Sequence, residues 1–283
     1  MSVATHAEPV RVAGTSAHEG PVYVPGQHAL YVTKLPEPGD ARPRVDIARL
    51  ALDTGEVSVV RGDANAANGM ALFPDGRLLV CEQDPAAISL LDAATGRRET
   101  LVDSWRGLQL NSPNDVVVKS DGSVWFTDPS YGHLQGFRPK PQVDDRVYRY
   151  EPESGQLAVV ADSFDKPNGI AFSPDDSTLY VSDNGDPHHL LAFEVLDGCR
   201  LGPARLFAVS TPGHPDGVKV DSEGRVYASA AGGIQVFDPS GELVQEIHLP
   251  GAVNFTFGGP DRDVLYVTTD DAVWAVQLDA RGA

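Results

Sequence analysis

A repeated unit restricts the fold of this chain more than any other feature of its sequence. Each copy begins with a polar residue, continues as a short run of β-branched and aromatic residues, turns, and continues as a second such run. The clearest copy is PNGIAFSPD at residues 167–175, followed by TLYVSD at residues 178–183. Six copies can be traced, and their first polar residues are Glu19, Asn68, Asn114, Asn168, Asp216 and Asn254.

The spacing of the copies predicts a β-propeller. Successive copies start 49, 46, 54, 48 and 38 residues apart, and periods in this range with Asp-Gly or Pro-Asp turns are typical of propeller blades of about four strands. Apolar residues alternate, as at Val116, Val118, Val124 and Phe126, without the spacing of an amphipathic helix. We therefore predict an all-β, six-bladed β-propeller with four-stranded blades, forming a single domain over residues 1–283.

The two ends of the chain predict how the ring closes. After the last copy only about three strands fit before Ala283, whereas the segment from Pro9 to Gly14 precedes the first copy. An N-terminal strand from that segment would complete the last blade. Such a closed ring leaves no long exposed strand edge for aggregation.

The six polar residues are candidates for a metal site. The innermost strand of each blade lines the central channel, so residues at the same place in each copy form one ring, and all six bear oxygen. A hard divalent cation takes such ligands, and the carboxylates of Glu19 and Asp216 would offset its charge. Ca²⁺ or Mg²⁺ suits such a ring, and Mn²⁺ or a catalytic Zn²⁺ with oxygen ligands is also possible. The alternative is that these residues only form hydrogen bonds in turns, because Asn and Asp before Gly are common turn residues.

Composition excludes some partners. The chain has 22 Lys and Arg against 40 Asp and Glu, a net charge of −18, which disfavours nucleic acid because phosphate binding needs a basic surface. The two cysteines, Cys81 and Cys199, are expected to be free thiols. The N-terminus lacks the basic start and apolar run that are typical of a secretory signal. No stretch approaches the 18 uninterrupted apolar residues that indicate a membrane span. We expect a cytoplasmic monomer or homodimer that does not insert into a membrane.

One connection, between Asp128 and Arg146, is long, rich in turn formers and aromatic residues, and has no strand period. Loops of this length in compact domains are commonly functional lids or disordered excursions. As a lid, residues 129–145 would influence substrate choice, and the candidate residues are Tyr131, His133, Phe137 and Arg138.

Several segments together resemble the gluconolactonase, regucalcin and senescence marker protein family. They are Glu19-Gly20-Pro21, NSPNDVVV at residues 111–118, WFTDP at 125–129, PNGIAFSPD at 167–175 and PDGVKVD at 215–221. The likeness covers nearly the whole chain, and the combination is far more specific than any single segment.

This resemblance implies a six-bladed propeller with one divalent metal ion in its channel, bound by Glu19, Asn168 and Asp216. Asn114 would lie beside the metal and either contact substrate or complete the coordination. Members of the family often hydrolyse sugar lactones, and a related propeller branch hydrolyses organophosphates at a similar calcium site. Vertebrate regucalcin-like members carry an arginine two residues before the matched Asn114, where this chain has Ser112, so their sugar contacts do not carry over.

The resulting hypothesis is metal-assisted opening of a sugar-type lactone, a small-molecule substrate. The metal would polarise the carbonyl and activate water, Asp216 is the candidate general base, and Asn114, Asp115 and Tyr131 are assigned to substrate binding. Two alternatives remain open. One is a non-catalytic propeller that binds calcium or a partner, and the other is a related propeller enzyme acting on phosphotriesters or another cyclic substrate.

Overall fold

The structure is a computed structural model that describes residues 7–36, 42–186 and 188–283. Residues 1–6, part of the segment in which we expect no secretory leader, lie outside the described residues. The described strands form six small antiparallel sheets and one two-stranded hairpin. No helix in these ranges is long and apolar enough to cross a membrane.

The chain enters its first sheet as β1 (Val10–Gly14) and then builds one blade after another. Blade 1 contains β2 (Ala17–Val24), β3 (Ala29–Lys34), β4 (Ile47–Ala51) and β5 (Val57–Arg61), with a 3-10 turn at Pro25–Gln27. Blade 2 contains β6 (Ala67–Leu72), β7 (Leu78–Gln83), β8 (Ala86–Leu91) and β9 (Arg98–Val102). The hairpin of β10 (Ser104–Trp105) and β11 (Leu108–Gln109) follows it.

Blade 3 contains β12 (Val116–Val118), β13 (Val124–Asp128), β14 (Arg146–Glu151) and β15 (Gln156–Ala161), with helix α1 (Tyr131–Leu134) between β13 and β14. Blade 4 contains β16 (Pro167–Phe172), β17 (Thr178–Asp183), β18 (His189–Leu196), β19 (Arg200–Leu201) and β20 (Arg205–Val209). Blade 5 contains β21 (Val218–Val220), β22 (Val226–Ala230), β23 (Gly233–Phe237) and β24 (Leu243–His248). Blade 6 contains β25 (Asn254–Gly258), β26 (Val264–Thr269) and β27 (Ala272–Gln277) together with β1.

The first strand of each blade after β1 contacts the first strands of its two neighbours. The contacts run from β2 to β6, β12, β16, β21 and β25, and from β25 back to β2. The predicted six-bladed propeller is therefore confirmed. Blade 4 has one more strand than predicted, because the two-residue β19 pairs with the end of β18 beside β20.

The closing strand is also confirmed. β1 pairs antiparallel with β27, placing Val10 opposite Ala275 and Gly14 opposite Ala272. Blade 6 thus has the strand order β1-β27-β26-β25 and joins both ends of the described chain. The two cysteines are free, as predicted, with Cys81 buried and Cys199 partly exposed.

The hydrophobic core lies between neighbouring blades. Between blades 3 and 4, the fully buried Trp125 packs edge-on against Phe172, with ring centroids 5.3 Å apart. The Trp125 indole N–H donates to Ser123 Oγ at 2.9 Å, so burial leaves no unsatisfied donor. Burying one large apolar side chain contributes about 1.5–3 kcal/mol, and such contacts hold each blade against the next.

Glycines let the innermost strands approach each other closely. A Cβ atom on Gly169 would lie 2.2 Å from the backbone oxygen of Asp216, and one on Gly69 would lie 2.4 Å from that of Asn114. Both glycines lie within strands, Gly69 in β6 and Gly169 in β16. At Asn68 and Asn168, the Asn-Gly pair is therefore a point of close contact between blades and not a turn.

Hydroxyl side chains on second strands also join neighbouring blades. In four blades a Thr or Ser hydroxyl donates to a backbone oxygen at or just before the start of the next blade's innermost strand. The bonds are Thr33 to Asn68 (3.2 Å), Thr127 to Asn168 (2.7 Å), Ser182 to Asp216 (2.8 Å) and Thr268 to His18 (2.7 Å). Three of the four acceptors belong to the polar ring, so these bonds fix the backbone that carries it.

Candidate active site

A cavity of about 370 Å³ lies at the polar ring. Its walls include five of the six ring residues, namely Glu19, Asn68, Asn114, Asn168 and Asp216. Tyr131 and Gln135, from the long connection in blade 3, also line it. Equivalent positions of the sequence repeat are thus brought together by the fold from five blades.

Asn254, the sixth ring residue, supports Glu19. Its Nδ2 donates to Glu19 Oε2 at 2.8 Å, and its Oδ1 accepts the N–H of Phe255 at 2.8 Å. Glu19 Oε2 also accepts the N–H of Gly20 at 3.3 Å. Burial raises the pKa of Glu19, although the nearby His18 and the Asn254 hydrogen bond oppose this effect.

Asp216 is the least satisfied group of the site. Its Oδ1 is buried and has no hydrogen-bond partner in the described part of the chain. Burial, together with the neighbouring Glu19 carboxyl, raises the pKa of Asp216 well above its ordinary value. Two acidic groups and an unpartnered oxygen make this the position where a positive charge would be most stabilising.

Amide groups surround the two carboxyls. Asn168 Nδ2 donates to the hydroxyl oxygen of Tyr131 at 3.4 Å, and Asn68 Nδ2 donates to the backbone oxygen of Asn114 at 3.2 Å. The Asn168 amide also lies close enough to Asp216 to oppose the rise in its pKa. The site therefore offers carboxyl and amide oxygens together with a phenol.

Asp115 lies behind the cavity lining and is not part of it. Its Oδ1 accepts the N–H of Val116 at 2.9 Å, and its Oδ2 accepts the N–H of Ile170 at 3.4 Å. Lys219 Nζ lies 3.7 Å from Asp115 Oδ2. Consecutive residues of an extended chain point to opposite sides, which separates Asp115 from the adjacent Asn114.

The long connection forms one wall of the cavity through helix α1. Ser112 Oγ accepts the N–H of Gly132 at 2.8 Å and so fixes the helix against the segment that leads to Asn114. Burial raises the pKa of Tyr131, which points to the cavity from this helix. Ser112, which stands where vertebrate regucalcin-like members have an arginine, thus contacts helix α1 in this chain.

Arg138 anchors the same connection. Its Nη1 donates to Asp84 Oδ1 at 3.0 Å, and its Nε donates to the backbone oxygen of Asn111 at 3.3 Å. Of the four residues predicted to influence substrate choice, only Tyr131 is among the described lining residues. His133, Phe137 and Arg138 lie away from the cavity lining.

The donor set fits a hard divalent cation, which the family resemblance implies. Such ions take carboxylate and amide oxygens, and an ion beside Asp216 would satisfy its orphaned Oδ1. Among residues 7–36, 42–186 and 188–283, no group of three or more His, Cys, Asp or Glu side chains converges as a metal cluster. Two carboxylates with amides remain, a set suited to Ca²⁺ and unlike a structural zinc site.

The fold and this site define a class: six-bladed propellers with an oxygen-rich pocket in the central channel. The sequence model of the family described as SMP-30/Gluconolactonase/LRE-like region matches residues 17–271. The chain belongs to this family, and the resemblance found in the sequence motifs is confirmed.

Individual relatives agree with the family. A gluconolactonase from Zymomonas mobilis is 36% identical over 188 residues, covering 62% of this chain and 52% of the relative, so the match spans about half of that protein. The solved structure of a gluconolactonase from Xanthomonas campestris is 36% identical, with a TM-score of 0.86 over 95% of this chain and 89% of that chain. A calcium-binding regucalcin from Agrobacterium tumefaciens, 21% identical, shares the fold, with a TM-score of 0.79 over 98% of this chain and 96% of that chain.

Sequence reasoning missed the residues that support the ring. The bridging hydroxyls occupy equivalent places in four copies, after Tyr31-Val32, Trp125-Phe126, Tyr180-Val181 and Tyr266-Val267. This recurrence is a signal that a closer alignment of the repeats would have found. The contacts of Arg138 with Asp84 and of Lys219 with Asp115 carry no comparable signal, because the partners are distant in the sequence.

Proposed function

We propose that this protein hydrolyses a sugar-type lactone in the channel cavity, with the help of a bound divalent cation. The observation that carries the proposal is the buried Asp216 Oδ1 beside Glu19, which has no partner among the described residues and lies at the wall of a cavity of about 370 Å³. Relatives named gluconolactonase support the choice of reaction.

Glu19, Asn168 and Asp216 would hold the cation, and Asn114 would complete its coordination or contact the substrate. We propose Ca²⁺, because all of these donors are oxygens. When bound, the cation supplies polarisation of the lactone carbonyl and a more acidic water molecule.

Asp216 is the residue that we assign to proton transfer. In the metal-free protein, burial and the Glu19 carboxyl raise the pKa of Asp216, whereas a bound cation would lower it and keep the carboxylate ionised, the form that can accept a proton. Asp216 would take a proton from water as the water oxygen bonds to the carbonyl carbon. The ring C–O bond then breaks, and Asp216 returns its proton to the leaving ring oxygen, so that the product is a hydroxy acid and Asp216 is again a carboxylate.

The remaining lining residues would orient the substrate. Asn68, Asn114 and Gln135 present amides to the cavity, which suits the hydroxyl groups of a sugar ring. Tyr131, held by Asn168, covers the site from helix α1 and restricts water. We propose that Asp115 contributes indirectly by holding the backbone beside Asn114.

The proposal is tested by acid release from a panel of aldonolactones and one phosphotriester, with and without a chelator. We expect chelator-sensitive opening of an aldonolactone by the wild-type protein and loss of that activity in Asp216→Asn. Asp175→Asn is the matched control, because Asp175 lies in an exposed turn and bonds to Ser173 and Ser177. Hydrolysis of the phosphotriester alone, or full activity in Asp216→Asn, would contradict the proposal.

A further inference from the structure

Lys219 places a positive charge inside the channel. It lies in β21 of blade 5, and its Nζ is 3.7 Å from Oδ2 of Asp115 in blade 3. Blade 4 separates these two blades around the ring. Residues of non-neighbouring blades can meet only across the central channel, so this ion pair crosses it.

Both partners are held in place. Asp115 is buried, with its side chain 3% exposed, and its two oxygens accept backbone N–H groups of Val116 and Ile170. Lys219 Nζ also donates to the backbone oxygen of Val218 at 3.0 Å. The pair therefore joins blades 3, 4 and 5 from the inside.

The charges of the channel explain why a fixed cation is needed there. Asp115 lies behind the cavity that Glu19 and Asp216 line, near enough for its charge to contribute to the raised pKa values of both. One divalent cation offsets two carboxylates and leaves the third unbalanced. A buried charge without a counter-charge is strongly destabilising.

We propose that Lys219 is an internal cation of the channel: its ammonium group takes the place that a second metal ion would otherwise occupy beside Asp115. The channel accordingly binds one divalent cation and not two. This inference rests on the cation site of the proposed function and assigns Lys219 a positioning role, because it acts through Asp115 and not on the substrate.

The inference predicts a latent cation site. With Lys219 replaced by methionine, the Asp115 carboxylate loses its counter-charge while its oxygens keep their places. A hard cation is then the natural replacement, since it is attracted by carboxylate oxygen. Lys219→Met should be destabilised without metal and regain stability when calcium is added.

The experiment is calcium titration calorimetry combined with thermal melting of the full chain. We expect one Ca²⁺ per chain for wild type and two for Lys219→Met, whose metal-free melting temperature falls by roughly 5–10 °C and recovers in calcium. Lys119→Met is the matched control, because Lys119 pairs with Asp121 and Asp176 and with none of the three channel acids. It should keep the wild-type stoichiometry.

The double variant Lys219→Met with Asp115→Asn removes both charges and should again bind as wild type. An unchanged calcium stoichiometry in Lys219→Met would overturn the inference, as would a double variant that still binds the additional ion. If Lys219→Met does not fold, the double variant must fold and bind as wild type, and its failure would also overturn the inference. Absence of calcium binding by wild type would instead contradict the proposed function, whereas the added site in Lys219→Met would still support the role of Lys219.

Discussion

Replacing Gly169 with alanine tests whether close packing of the innermost strands positions Asp216. A Cβ atom at residue 169 would lie 2.2 Å from the backbone oxygen of Asp216 and 2.7 Å from the backbone nitrogen of Val218. Both are backbone atoms, so no flexible side chain can move aside. Ordinary contacts of this kind begin at 3.4 Å, so β16 and β21 must separate by about 1 Å.

Separating the two strands should lower the free energy of unfolding and should reduce the catalytic rate more strongly. Inserting a methyl group into a tightly packed region typically costs about 1–3 kcal/mol, which at this chain length lowers the melting temperature by roughly 2–10 °C. It also moves Asp216 away from Asn168, the residue before the substitution. A misplacement of about 1 Å in a catalytic group can reduce the rate about 100-fold.

The assay compares kcat/KM for lactone opening and the melting temperature in wild type, Gly169→Ala and Gly26→Ala. Gly26 is the matched control, because a Cβ atom there would meet nothing within 4 Å. We expect Gly26→Ala to behave as wild type and Gly169→Ala to lose far more activity than stability. A Gly169→Ala protein with wild-type kcat/KM would refute the positioning argument.

Three further predictions concern the scaffold. Burial raises the pKa of Asp128 to about 7 in the folded protein, against about 3.9 in the unfolded chain, so the folded state binds this proton more tightly. The contribution of Asp128 to the free energy of unfolding therefore falls as the pH rises from about 4 to 7. Asp128→Asn should remove that pH dependence, measured as the difference in unfolding free energy between urea melts at pH 5 and pH 8. Because Asp128 accepts two backbone N–H groups, the substitution should also cost about 1–3 kcal/mol at pH 5. An unchanged difference between the two pH values would contradict this role of Asp128. Arg138→Met should raise KM and speed proteolysis within residues 129–145, because it removes the anchor to Asp84; unchanged proteolysis would exclude an anchoring role. Deleting residues 1–14 should lower the melting temperature sharply, because it exposes the edge of β27, and an unchanged melt would show that β1 does not stabilise the ring.

The propeller was predictable because its blades repeat in the sequence. Each copy carries the same alternation and turns, so six blades and a closing strand follow from local patterns alone. The ring was predictable for the same reason, since equivalent positions in a closed repeat must face the same channel. Five of its six members line the cavity, while Asn254 supports Glu19 instead.

Other features depend on contacts between residues far apart in the chain. The glycine after Asn168 suggests a turn, yet it sits within β16 because the backbone of Asp216 passes 2.2 Å from where a Cβ atom would be. The connection after Asp128 shows no strand period, and its anchor is a salt bridge from Arg138 to Asp84, 54 residues away. Neither contact has a local sequence signal, so neither could have been predicted.

The most direct test of the account is calcium binding and lactone hydrolysis measured on the same metal-depleted samples. We expect wild type to regain activity and a higher melting temperature as calcium is added, and Glu19→Ala and Asp216→Ala to lose metal binding and activity together. Asp175→Asn should respond as wild type. Full lactone hydrolysis by metal-free Asp216→Ala would contradict the central claim that this acidic pair holds the cation on which the reaction depends.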